Sequence, residues 1–228
     1  MSLWVAGSVC NCPDRARRTS VVEFWIDLAT ELVSIRNFSG AFAVYIGVCK
    51  PSVNRMKQTL AHVDSSRKRR YLTLETMFDG FKNLAGYRSA LGDAELPAIP
   101  LMSTFIHDLA ATNALPTQLP LTAKGEDKTL INFGALRNIS KTLQSMKACH
   151  MQYQYTPKPT LQDWLDQQIK PFQLSSKDEE RLVNEFYDAS KRHERRMTRL
   201  VNCNVWQHTL SVIVDDYAPA LVAHDEFV

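Results

Sequence analysis

Glycine, histidine and cysteine are all scarce in this chain, and each scarcity removes a class of function. Among its eight glycines in 228 residues, none completes a G-x-x-x-x-G-K-[ST] phosphate loop or a G-x-G-x-x-G dinucleotide fingerprint. The five cysteines are odd in number and lack a C-x-x-C pair, which argues against a disulfide framework and a zinc site. Cys49 lies in an apolar run and reads as a small core residue. The six histidines are scattered and show no metal-ligand spacing. Cys149 and His150 are neighbours, but adjacent helical residues point about 100° apart and make no nucleophile–base pair. Covalent chemistry, a cofactor and a bound metal are therefore not expected.

Excess charge and long apolar runs are missing too. A net charge of +3 and a pI near 8.6 are too mild to demand nucleic acid or an anionic membrane. No apolar run approaches a membrane span, and the stretch around Trp4-Val5-Ala6 is too short, without a basic start, for a signal peptide. A reducing, cytoplasmic setting fits.

What is present is helical periodicity over a chain that is 45% hydrophobic. Residues 1–20, with the basic cluster Arg15, Arg17 and Arg18, read as a loose leader. From Val21, one face carries Val22, Ile26, Ala29 and Val33, and another Phe24, Leu28, Leu32 and Ile35, as in a helix wedged inside a bundle. Ala41–Cys49 is rich in Val, Ile, Phe and Tyr and alone suggests a strand. Pro51-Ser52 predicts a helix start with Ser52 as cap. The run Arg67-Lys68-Arg69-Arg70 reads as a solvated helix start, and Tyr71, Leu74, Met77 or Phe78, Phe81 and Leu84 as one amphipathic helix. A helix from Thr129 to Met151 carries the stripe Phe133, Leu136, Ile139, Leu143 and Met146. Thr160 is a candidate cap of a short helix before Pro171, and Ser176-Lys177-Asp178-Glu179 of a longer one. Residues 197–228 form a tail with one apolar stretch, Leu210–Val214. The pattern predicts an all-α helical bundle.

The most informative segment is Leu96–Leu109. Pro97 and Pro100 end one element and set the start of the next, and a helix of roughly 20 Å can follow from Leu101 to Asn113. Met102, Ile106 and Leu109, with Phe105 beside them, form a packing stripe. Ser103, His107, Ala110 and Ala114 make a nearly smooth opposite side. A loop with Pro116, Pro120 and Gly125 leads to the next helix, so the pair reads as a helical hairpin protruding from the bundle.

Several blocks in order give this chain a family resemblance: Asn37-Phe38 with Ala43–Val48, Val53–Leu60, Tyr87–Leu91, the Pro97–Leu109 segment, Leu130–Phe133, Gln152 with Tyr155, and Ala189-Ser190 with Glu194-Arg195. The chain resembles the catalytic domain of Ras-type guanine nucleotide exchange factors, of the Son of sevenless kind, over roughly residues 21–196. The resemblance implies a helix over Ala41–Cys49. Its partner would be a Ras-family small GTPase, whose bound GDP is loosened by a hairpin wedged against the nucleotide site. It places GTPase contacts at Leu101, Met102, Phe105, His107, Asp108, Ala110, Ala111 and Ala114, with Leu101 as a pocket residue, and hairpin support at Asn37 and Arg88. Such a factor works without covalent chemistry and meets its GTPase at a membrane.

Two departures stand out. Relatives that displace Mg²⁺ carry a bulky aliphatic at the Ala110 position and an acid at the Ala114 position, and the family's glycine is Ser103 here. The family domain also begins with helices ahead of the Val21 block, so a missing segment or a partner is expected to cover the apolar faces of the Val21–Ile35 helix. Both departures favour a second reading, a non-catalytic helical module that binds a GTPase or another protein. A third, a helical scaffold unrelated to GTPases, requires the ordered blocks to be coincidence.

Overall fold

The first apolar run is not a loose leader but a core helix. In the computed structural model, which describes residues 1–81, 83–123 and 126–194, α1 (Ser2–Cys10) buries Leu3, Val5, Ala6, Val9 and Cys10. With most of its side chains apolar, it gains more from packing than from facing water. It lies against α3 (Phe38–Cys49) so closely that a Cβ on Gly47 would sit 2.5 Å from the Val5 Cβ. The basic cluster opens α2 (Arg15–Ser34), where Asp14 caps the first turn by accepting the Arg17 N–H at 2.7 Å.

Helix α2 packs on α3 and buries Val22, Trp25, Ile26 and Ala29. Its second apolar face is only partly covered: Phe24 is 58% and Ile35 41% exposed, while Leu28 and Leu32 are half-buried. The β-branched and aromatic segment at Ala41–Cys49 is helical, because helix packing on two sides outweighs local strand preference. Short helices α4 (Pro51–Asn54) and α5 (Lys57–Ala61) follow. Ser52 is not the cap expected there. Lys50 holds the N-cap position without a side-chain cap bond, Pro51 holds the first helical position, and Ser52 is buried.

Helix α6 (Ser65–Met77) crosses α2, where Asp27 holds Arg67 at 2.8 Å and Arg70 at 2.7 Å. Only part of the basic run is thus free solvated surface. The expected continuation through Phe81 and Leu84 breaks at Phe78: Phe81 is 70% exposed, and Asn83 and Leu84 both adopt positive φ before α7 (Ala85–Asp93).

Helix α8 (Met102–Asn113) is joined to α9 (Phe133–Cys149) through an antiparallel ribbon of β1 (Gln118–Ala123) and β2 (Glu126–Ile131), paired from Gln118↔Ile131 to Ala123↔Glu126. Thr129–Asn132 is therefore not helical. Asn132 caps α9 by accepting the Ala135 N–H at 3.1 Å and donates to the Pro116 carbonyl at 2.9 Å, closing the ribbon at its base. The expected α9 stripe is largely open, with Phe133 72%, Leu136 51% and Leu143 43% exposed and only Ala135 buried.

Helix α10 (Pro159–Ile169) starts on Pro159 with Lys158 as cap, not Thr160. A 3-10 turn follows over Lys170–Phe172. Helix α11 (Ser176–His193) is capped one residue earlier than expected, by Ser175, and returns to pack on α1 and α4. Its last residue contacts close the molecule. The buried Glu194 carboxylate accepts the Thr59 N–H at 2.8 Å and the Gln58 N–H at 2.9 Å, and lies 3.6 Å from the buried Arg18 guanidinium. A buried ion pair needs such added hydrogen bonds to offset desolvation. The fold is all-α, the ribbon being its one departure among the described residues. The tail 197–228 with Leu210–Val214, together with Arg195, Cys203 and Gly125, lies outside the described residues.

Candidate functional site

Pro97 and Pro100 confine the chain ahead of α8, and Leu101 follows in extended geometry as the N-cap residue. Its N–H donates to the Tyr87 hydroxyl at 2.8 Å. Burial pushes that phenol's pKa up, keeping it a neutral hydrogen-bonding group. Leu101 is 4% exposed and belongs to the main hydrophobic core. The expectation of a pocket residue at an open helix edge is corrected on this point: the helix starts one residue later, and the Leu101 side chain turns inward. Phe105, 7% exposed, is a packing residue as well.

Arg88 fixes α8 from the side. Its guanidinium donates to both Asp108 carboxylate oxygens, at 2.7 and 2.9 Å, and its Nε donates to the Asn83 carbonyl at 2.8 Å. The two parallel bonds set orientation as well as distance. Asn37 caps α3 by accepting the Gly40 N–H at 2.9 Å and bridges in parallel to Ile99, just ahead of Pro100. Arg88 thus bonds the middle of α8, and Asn37 pairs with the segment just ahead of it. Asp108 is half-buried and engaged by Arg88.

The remaining expected contacts are open. Met102 is 46% exposed, and Ser103, His107, Ala110, Ala111 and Ala114 are exposed along α8. Helix α9 runs back along α8. Thr112 and Asn113 share a cleft with Ala135, Leu136 and Ile139 near the ribbon, and His107 and Ala111 share another with Asn138, Lys141 and Thr142 further back. This second cleft, about 390 Å³, is completed by Asn83, Asp108 and Thr112. Sequence reasoning missed Asn83, Asn138 and Lys141. They lie outside the smooth face of α8: Asn138 and Lys141 meet it through the α8–α9 packing and Asn83 through the turn ahead of α7 that Arg88 holds, and no local pattern encodes either.

Among the described residues, no group of His, Cys, Asp and Glu is placed to hold a metal, and no helix is long and apolar enough to cross a membrane. Burial raises the pKa of the half-buried Cys149 thiol, so beside His150 it is held protonated and poorly nucleophilic.

The chain matches the model of the RasGEF domain over residues 1–137, from α1 through the first turn of α9. It is 28% identical over 149 residues to Rap guanine nucleotide exchange factor 5 from Homo sapiens, an alignment covering 65% of this chain and 24% of that protein. It is 30% identical over 121 residues to RAS guanyl-releasing protein 4 from Bos taurus, covering 53% and 18%. A Rap guanine nucleotide exchange factor from Caenorhabditis elegans is 28% identical over 151 residues, covering 63% and 9%. The chain thus spans about a quarter or less of the length of these curated relatives. The match starts at residue 1 and takes in α1, which the expected boundary at residue 21 left out. Because more than half of the chain fits this one model, and its braced α8 segment lies inside the match, the chain belongs to the RasGEF domain family.

Proposed function

We propose that this chain is a guanine nucleotide exchange unit for a Ras-family small GTPase, and that α8, the ribbon and α9 act together as its wedge. A small GTPase holds GDP through its phosphate loop, a Mg²⁺ ion and two switch segments. A helix braced at its base can press on a switch without yielding. The observation that carries the reading is Arg88, which ties α8 to α7 and to the Asn83 carbonyl, while the side bearing His107, Ala110, Ala111 and Ala114 stays open. Family membership supplies the partner class. The blocks around Asn37, Arg88 and Pro97 support a Son of sevenless-like catalytic unit, and the names of the relatives put Rap and Ras proteins first in any panel.

Binding of the exchange unit and binding of the nucleotide are reciprocal, each ligand weakening the other by the same factor. The unit forms and breaks no covalent bond, uses no cofactor and carries no metal of its own. It works in the cytoplasm, recruited to a membrane through its GTPase. The catalytic unit extends to about residue 196. A further segment or partner covers the open apolar side of α2 at Phe24 and Ile35. The test is release of a fluorescent GDP analogue from Ras, Rap, Ral and Rho proteins. Faster release from one or more Ras-family members is expected, and no acceleration of any would sink the exchange reading.

The exposed alanines at 110 and 114 favour a second reading, a module that binds a GTPase without promoting exchange. It predicts a stable complex with no change in GDP release.

A further inference from the structure

The cleft behind His107 has a charge balance that the α8 sequence does not reveal. Its acid, Asp108, is neutralised by two hydrogen bonds from Arg88. The other polar groups are the His107 imidazole, whose Nδ1 lies 3.9 Å from the Asp108 carboxylate, the amides of Asn83 and Asn138, and the hydroxyls of Thr112 and Thr142, which donate to their own helix backbones at 2.8 and 3.0 Å. That leaves Lys141, exposed on α9 and without a carboxylate partner among the described residues. One wall is held in an unusual shape, since Asn83 and Leu84 take φ of 56° and 57° in succession. Non-glycine residues rarely adopt this region unless the surroundings hold them there, and here the Arg88 bond to the Asn83 carbonyl does so.

We propose that Lys141 is a specificity-determining residue that receives a carboxylate from the docked GTPase, with Asn83 and Asn138 as neighbouring hydrogen-bond groups. The inference rests on the exchange reading, because His107 and Ala111 of the proposed contact face line the same cleft. An unpaired cation on a solvated rim contributes mainly to encounter rate and partner choice, and its effect is screened by salt. A GTPase with an acid facing the cleft is preferred over one with a neutral or basic residue there.

The experiment compares the wild type with Lys141→Glu, Lys141→Ala and Lys141→Arg on a GTPase that responds to the wild type. It measures kcat/KM for GDP release at low and high salt and Kd for the nucleotide-free GTPase. Lys141→Glu should lower kcat/KM by about tenfold at low salt and flatten its salt dependence, and Lys141→Arg should retain most of it. Replacing the facing acid of the GTPase by lysine should rescue Lys141→Glu, as a double-mutant cycle requires. Equal kcat/KM and Kd for wild type and Lys141→Glu, at equal helical content by circular dichroism, would overturn the role of Lys141 while leaving the exchange reading intact. Inorganic phosphate that inhibits the wild type beyond its ionic strength, but not Lys141→Glu, would show a phosphate site in place of a carboxylate contact. A wild type that neither binds nor stimulates any GTPase in the panel removes both readings together.

Discussion

Replacing Leu101 with alanine separates packing from recognition at a single residue. Its side chain is 4% exposed and lies in the core beside Tyr87, so Leu101→Ala should cost about 2–5 kcal/mol. The measurement is the urea midpoint, and a loss below about 0.5 kcal/mol would return Leu101 to the contact surface. Cys49 gives a pH-dependent counterpart. Burial pushes its thiol from an ordinary 9.0 up to about 12, beside the Tyr71 hydroxyl at 3.0 Å. The folded state therefore keeps this proton where the unfolded chain releases it. That contribution is fully present below pH 9 and is lost as pH rises toward 12. Native Cys49 should resist iodoacetamide at pH 9 and react only after unfolding, read by mass spectrometry. Rapid native alkylation would contradict its burial.

At the scale of the element, α8 combines a flank held by Arg88 with an open side of small residues, the face proposed to meet the GTPase. Ala110 and Ala114 are exposed, and Ala114 is the C-cap residue. Such a face can hold a switch open by its bulk, but has little with which to occupy a Mg²⁺ site or repel phosphate. The exchange rate of the chain is expected to be low. Ala110→Leu combined with Ala114→Glu should raise it measurably. The glutamate opposes the helix dipole by only tenths of a kcal/mol. Both proteins are compared on one GTPase at fixed Mg²⁺, with folding checked by circular dichroism. Equal rates would show that these two positions do not limit exchange.

At the scale of the molecule, α1 decides whether the bundle holds together. It packs on α2, α3, α4 and α11, and a Cβ at Gly7 would meet the Phe186 ring at 2.7 Å. Its buried apolar side chains contribute on the order of 10 kcal/mol of burial, comparable with the whole stability of a domain. Deletion of residues 1–12 should therefore abolish the cooperative thermal transition, whereas a dispensable leader would leave Tm unchanged.

Helix type and order were legible along most of the chain, because apolar spacing is a local property that survives without neighbours. So were the breakers Pro97 and Pro100 and the open side of α8 at His107, Ala110 and Ala114, since small residues at helical spacing leave a face bare. The ribbon at Gln118–Ile131 was not legible, because breakers announce a turn without saying whether its flanks will pair. Nor was the inward turn of Leu101, which depends on Tyr87. The closure of the bundle needs Glu194 to meet Thr59 across 135 residues of sequence. The cleft needs Lys141 to arrive beside His107 from another helix. Periodicity tells each helix which face to bury, but only packing selects the partner across that face, and charge pairing at such distances follows from the packing.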